Sequence, residues 1–277
     1  MVNESSCNTL VITDLLQIDH PEIANVIIEV CGKRHIEIII IKGANHYWCR
    51  DFMPLQVNKE KLDQFVYDPT YYKHPKYLHL KTDVEALSYY PQQTIVQSNI
   101  VLDGGNICYH NNKAVITDKL FRDNPDKKKN SIINEITALL ELDEIYIIPS
   151  LPYDITGHAD GMVRFINDDN LIVNDFTLIS SKSHWNKLLK ALEKFNFELL
   201  PNELHKNKIK DDATGDYINI VIIKDLVFIP FYESAADNLA LGIIQTAFPE
   251  YTIIQMPSKK LSVKGGIFHC ATWNLLQ

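Results

Sequence analysis

The sequence predicts an α/β protein assembled from five copies of one small supersecondary unit closing around an axis. Two observations lead there. A strand, strand, helix, strand order recurs three times from residue 106 onward, and clusters of polar residues recur at a nearly constant interval along the chain. Self-similarity at a fixed period is the mark of repeated units that bury their apolar faces against one another.

The elements follow from local pattern. Near the N-terminus, TLVITDLL (9–16), a helix-like PEIANVIIEV (21–30) and a strand-like IEIIII (36–41) fit such a unit less distinctly than the later segments. Residues 59–93 are irregular and rich in tyrosine. Thereafter the punctuation is clear. Asn111-Asn112-Lys113 separates apolar runs at 106–110 and 114–118, NDDN (167–170) separates 162–166 from 171–175, and Lys224-Asp225 separates 217–223 from 226–231, three hairpin signals. Each hairpin is followed by apolar residues at three-and-four spacing, in 132–142, 185–195 and 235–248, which predicts helices. Each helix leads to a short apolar strand ending at Pro149, Pro201 or Pro257.

Composition narrows the class of protein. The chain of 277 residues carries 27 basic and 35 acidic side chains, a net charge of −8. Nucleic acid and anionic membrane surfaces both select basic proteins, so neither is the expected partner; a small cation is weakly favoured. No linker divides the chain, and residues 1–277 are expected to form one domain. MVNESSCNTL has neither a basic n-region nor an apolar h-region, and no apolar run is long enough to span a membrane. The five cysteines are widely spaced with no C-x-x-C, which predicts free thiols in a reducing cytoplasm rather than a disulfide framework or a metal centre. A homodimer is left open.

One polar cluster opens each unit: Asp51 in WCRDFMP, Asp103 in LDGGN, His158 and Asp160 in GHADG, Asn219 in GDYIN and Cys270 in GGIFHCAT. The steps from Asp51 to Asp103, His158, Asn219 and Cys270 are 52, 55, 61 and 51 residues. If the units close into a ring, equivalent positions meet at its centre. Each motif alone has an ordinary reading: a turn aspartate, a loop histidine, a strand-end charge pair, a core tryptophan at Trp48, a buried thiol. In an extended GHADG, His158 and Asp160 would share a face.

Taken together, the motifs WCRD with Pro54, LDGGN, GHADG, YIN and GGIFHCAT, in this order over residues 48–272, resemble the agmatine deiminase and bacterial peptidylarginine deiminase family of the guanidino-group-modifying (pentein) superfamily. The resemblance implies a fivefold pseudo-symmetric α/β propeller of ββαβ units and a site without metal or organic cofactor. It implies Cys270 as nucleophile, His158 as general acid and base, and Asp103 as the group that orients the histidine. Asp51 and Asp160 would bind a small guanidino substrate, with Trp48 and Asn219 lining the site. His269, the sequence neighbour of Cys270, is passed over as base in favour of His158. The chain departs from the usual agmatine deiminase pattern at Asp103, where glutamate is more common, and in RDFMP. The substrate is therefore not fixed: agmatine is the default expectation, with arginine-type or peptidyl-arginine substrates behind it. Hydrolysis is the expected outcome. An amidinotransferase, or a guanidine-binding protein without turnover, stands as the alternative.

Overall fold

Four of the five units are hairpins whose second strand continues through a crossover into a third strand parallel to it. The computed structural model describes residues 1–89, 91–207 and 212–277. Its strands are β1 (Thr9–Thr13), β2 (Glu37–Ile41), β3 (Leu55–Gln56), β4 (Lys61–Val66), β5 (Thr94–Val101), β6 (Ile107–His110), β7 (Lys113–Thr117) and β8 (Glu144–Ile148), then β9 (Val163–Asn167), β10 (Asn170–Asn174), β11 (Asn196–Leu200), β12 (Val221–Ile223), β13 (Leu226–Phe231), β14 (Thr252–Pro257) and β15 (Trp273–Leu275). They form five three-stranded sheets: β15-β1-β2, β3-β4-β5, β6-β7-β8, β9-β10-β11 and β12-β13-β14. In every sheet the middle strand pairs antiparallel on one side and parallel on the other. This is the fivefold propeller that the repeat predicts.

Burial follows this order. Central strand β1 is buried at all five positions, whereas the parallel outer strands β11 and β14 are exposed at several. The crossover helix Pro21–Lys33 buries Ile23, Ala24, Ile27 and Cys31, one face of a 3.6-residue period. Helices Lys129–Leu139, Lys182–Ala191 and Asp237–Ala247 cover the later sheets in the same way.

The indistinct N-terminal unit has a simple cause. It has only β1, a helical crossover and β2, and its antiparallel strand comes from the other end of the chain, with Thr9 opposite Leu275 and Val11 opposite Trp273. Trp273 is buried and donates its indole N–H to the Pro54 carbonyl at 2.8 Å. Burying roughly 200 Å2 of indole at about 25 cal/mol per Å2 contributes about 5 kcal/mol. A net backbone hydrogen bond contributes about 1 kcal/mol, so packing dominates this seam.

Three local expectations change. The strand expected over 217–223 is confined to Val221–Ile223, because the preceding residues leave the ladder and carry Asn219 inward. GHADG is not extended throughout: His158 is extended, but Ala159–Gly161 form a 3-10 turn. WCRD is a single helical turn, Cys49–Phe52, and its Arg50 and Asp51 are buried rather than a strand-end pair in solvent. The tyrosine-rich stretch replaces the crossover helix of the second sheet with short turns at Thr70–Lys73, Pro75–Leu78 and Val84–Ala86. Tyr90 lies outside the described residues.

Candidate active site

The predicted residues converge because each sits on a connection between sheets. Asp51 lies between β2 and β3, Asp103 between β5 and β6, and His158 and Asp160 between β8 and β9. Asn219 lies between β11 and β12, and Cys270 between β14 and β15. Equivalent connections in a closed ring meet at one end of its axis. There Trp48, Asp51, His158, Asp160, Asn219 and Cys270 line one cleft of about 490 Å3. Asp103 stands behind it, fully buried.

Cys270 is partly exposed in the cleft. Its Sγ accepts from Asn219 Nδ2 at 3.2 Å and donates to Asp160 Oδ2 at 3.5 Å, while its backbone N–H donates to Asn219 Oδ1 at 3.3 Å. His158 Nε2 meets Asp103 Oδ2 at 2.7 Å, which leaves Nδ1 facing the site, 3.5 Å from Asp51 Oδ1. Trp48 packs against Gly266: a Cβ there would lie 2.9 Å from Cζ3 of the indole, so the glycine lets the ring reach the wall beside Cys270.

Four ionisable groups are tuned by one another. Burial pushes the His158 imidazolium toward losing its proton, but Asp51 and Asp103 outweigh this and lift its pKa to about 9. Burial, with Asp103 and Asp160 nearby, raises Asp51 to about 7. Burial alone would raise Asp160, yet the hydrogen bond from His269 holds it below the ordinary carboxylate value. Burial and then the Asp160 and Asp51 carboxylates push the Cys270 thiol well up. The free site therefore pairs a histidinium with a neutral thiol. Among the described residues, no group of three or more His, Cys, Asp or Glu side chains is disposed to hold a metal ion.

The profile of the Porphyromonas-type peptidyl-arginine deiminase family matches residues 8–275. The chain belongs to this family. A curated protein of Vibrio parahaemolyticus, provisionally named an agmatine deiminase, is 22% identical over 220 residues, which cover 69% of this chain and 60% of that protein. The match thus spans less than two thirds of the relative's length. A C. jejuni agmatine deiminase with substrate bound superposes over all of this chain and 96% of its own, with a TM-score of 0.77 at 16% identity. Agmatine deiminase of Enterococcus faecalis superposes over 99% of this chain and 94% of its own, with a TM-score of 0.75 at 17% identity. At such identities the likeness speaks for the pentein fold.

In this peptidyl-arginine deiminase family member, sequence reasoning missed several groups that hold the site. Lys119 is 2% exposed, donates to Asp103 Oδ2 at 2.7 Å and is bound to Asp123. It supplies the charge that keeps Asp103 ionised against its burial. His269 Nδ1 meets Asp160 Oδ2 at 2.7 Å, and its Nε2 meets Glu4 Oε1 at 2.8 Å. Glu4 also binds Arg164 and lies 3.4 Å from Arg50. No signal in the sequence links Glu4 to a histidine 265 positions away. Lys119→Met is expected to leave two buried carboxylates without their cation and to cost about 3–5 kcal/mol of stability, measured by urea denaturation. A midpoint and slope equal to wild type would refute that role for Lys119.

Proposed function

We propose that this protein is a cofactor-free hydrolase that deiminates a small guanidino compound, with agmatine as the leading substrate. The observation that carries the reading is the meeting of Asp51, His158, Asp160 and Cys270 at one end of a single cleft. A guanidinium is planar, cationic and donates hydrogen bonds from every nitrogen. Asp51 and Asp160 are the acceptors for its nitrogens, which directs its central carbon at Cys270 Sγ.

The charge balance supports a substrate-assisted route. Carboxylates keep the thiol protonated in the empty site, and a cation between them offsets that field, so that the thiol gives its proton to solvent and becomes the thiolate. The thiolate adds to the guanidinium carbon. His158, already protonated, gives its Nδ1 proton to the departing nitrogen, so ammonia leaves and an S-linked thiouronium remains. Neutral His158 then takes a proton from water as it attacks the same carbon. The C–S bond breaks, releasing a ureido product and regenerating the thiol. Asp103, held by Lys119, keeps His158 in the orientation both steps use.

The test is a screen of agmatine, arginine and an arginine peptide for ammonia and ureido product. Release from at least one supports hydrolysis. Amidino transfer to an added amine without net ammonia would replace hydrolysis with transfer, and no turnover at all would refute the reading.

The pH profile follows from the same groups. As pH falls through about 7, Asp51 is protonated and loses its hold on the guanidinium. As pH rises through about 9, His158 loses the proton that the leaving group needs. A bell-shaped kcat/KM with limbs near these values is expected. A rate that keeps climbing to pH 10 would instead point to simple ionisation of Cys270 as the activating event.

A further inference from the structure

Asp216 is 6% exposed and stands on the wall of the same cleft; it lies within GDYIN, but neither the reading of that motif, which singles out Asn219, nor the chemistry above uses it. Its Oδ1 accepts from Asn174 Nδ2 at 2.9 Å and from the Ile218 backbone N–H at 3.0 Å. Among the described residues, Oδ2 accepts no hydrogen bond. On the wall of the cleft that oxygen is an acceptor left open to a cationic donor entering from the cleft. The position is fixed with some care: Asn174 Nδ2 also donates to the Gly161 carbonyl at 2.9 Å, which ties Asp216 to the turn that bears Asp160. A Cβ on Gly161 would lie 3.7 Å from Asp216 Oδ2, so only a glycine's width separates that oxygen from the turn.

Resting on the deiminase reading, we propose that Asp216 is a second anionic station that receives the terminal ammonium of an aminoalkyl guanidine, selecting it over guanidines that end in a carboxylate or a bare alkyl chain. The separation suits such a molecule. Asn219, whose side chain touches Cys270 Sγ, lies three residues beyond Asp216, so their Cα atoms are no more than about 11 Å apart. Six bonds of about 1.5 Å join the guanidino carbon of a four-carbon aminoalkyl guanidine to its amine, so the substrate spans at most about 9 Å. The surrounding charge has the matching sign. Asp154 and Asp212 line the cleft as well, and among its described lining residues Lys264 is the one Lys or Arg side chain. Burial holds the Asp216 carboxyl up at about 7, so an arriving ammonium draws it into the ionised form.

The experiment measures binding by calorimetry to the Cys270→Ala protein, with and without Asp216→Asn, using agmatine, butylguanidine and arginine. With Asp216 intact, agmatine is expected to bind about ten- to a hundredfold tighter than butylguanidine, the range of a charge-assisted hydrogen bond. Arginine is expected to bind more weakly than agmatine. Asp216→Asn should bring the agmatine-to-butylguanidine ratio close to one while leaving the butylguanidine Kd unchanged. An unchanged ratio in the variant, or an equal loss for both ligands, overturns the proposal while leaving deimination standing. Failure of all three guanidines to bind overturns the deiminase reading and this proposal with it.

Discussion

Cys270→Ala is expected to lower ammonia release from the best guanidine substrate by at least about 10^4-fold while changing its Kd only a few-fold. Covalent catalysis replaces one difficult displacement with two easier ones, and the variant has no atom with which to form the first bond. The binding groups remain. Asp51 and Asp160 still face the cleft, and Asp160 stays anchored through His269. Residual catalysis would then come only from holding the guanidinium near water, which single-turnover measurements of ureido product would detect. The variant should also bind its substrate at least as readily at neutral pH, because no thiol proton has to be lost. Retention of more than a few per cent of wild-type kcat would show that the sulfur is not the nucleophile.

The second large effect is expected at Gly105, which sequence alone reads as half of an ordinary turn. A Cβ at this position would lie 2.6 Å from Asp51 Oδ1, 2.7 Å from His158 Nδ1 and 3.3 Å from Asp160 Oδ2. Three groups with assigned roles thus meet over one glycine. None of the three can swing clear cheaply: His158 is held by Asp103, Asp160 by His269, and Asp51 accepts the Gly105 backbone N–H at 3.2 Å. Gly105→Ala should therefore displace reacting groups by a sizeable fraction of an ångström, and a misplacement of about 1 Å can cost about 10^2-fold in rate. The control is Gly242→Ala, where nothing lies within 4 Å of the added methyl. On a helix that change should stabilise by about 0.5–1 kcal/mol and leave kcat/KM untouched. Equal kcat/KM for Gly105→Ala and wild type would mean that these side chains are not held in the arrangement described.

Much of the fold was legible because it is local. Apolar spacing places the later helices within four residues of their ends at 129–139, 182–191 and 237–247, and the polar turns place the hairpins β6–β7 and β9–β10. The period of the polar clusters carried further, since each cluster falls on a connection between neighbouring sheets. Two regions resisted for physical reasons. The second unit crosses over without a long helix, so no three-and-four pattern marks it. Its tyrosines instead pack on one another around His46, whose imidazole lies 3.0 Å from both the Tyr67 and Tyr72 hydroxyls. The segment after Gly215 reads as strand from its apolar content, but Asn219 and Asp216 turn inward there, and polar demand at the cleft overrides β propensity.

The sequence by itself determined the family, the fivefold repeat and the residues that meet at its centre, because those depend on local pattern and on motifs in a fixed order. Tertiary structure alone decided how those residues are held. Closure by β15 places Cys270 three residues from the strand that seals the ring. The cation behind Asp103 comes from Lys119, the hydrogen bond that fixes Asp160 comes from His269, and Glu4 backs that histidine from the far end of the chain. Their charges interact through space in a poorly screened interior, where a partner 16 residues away and one 265 away act alike. Separation along the chain leaves no trace of such pairings, and for that reason the sequence passes over His269 as base without assigning it a role, while the folded chain makes it the support of Asp160.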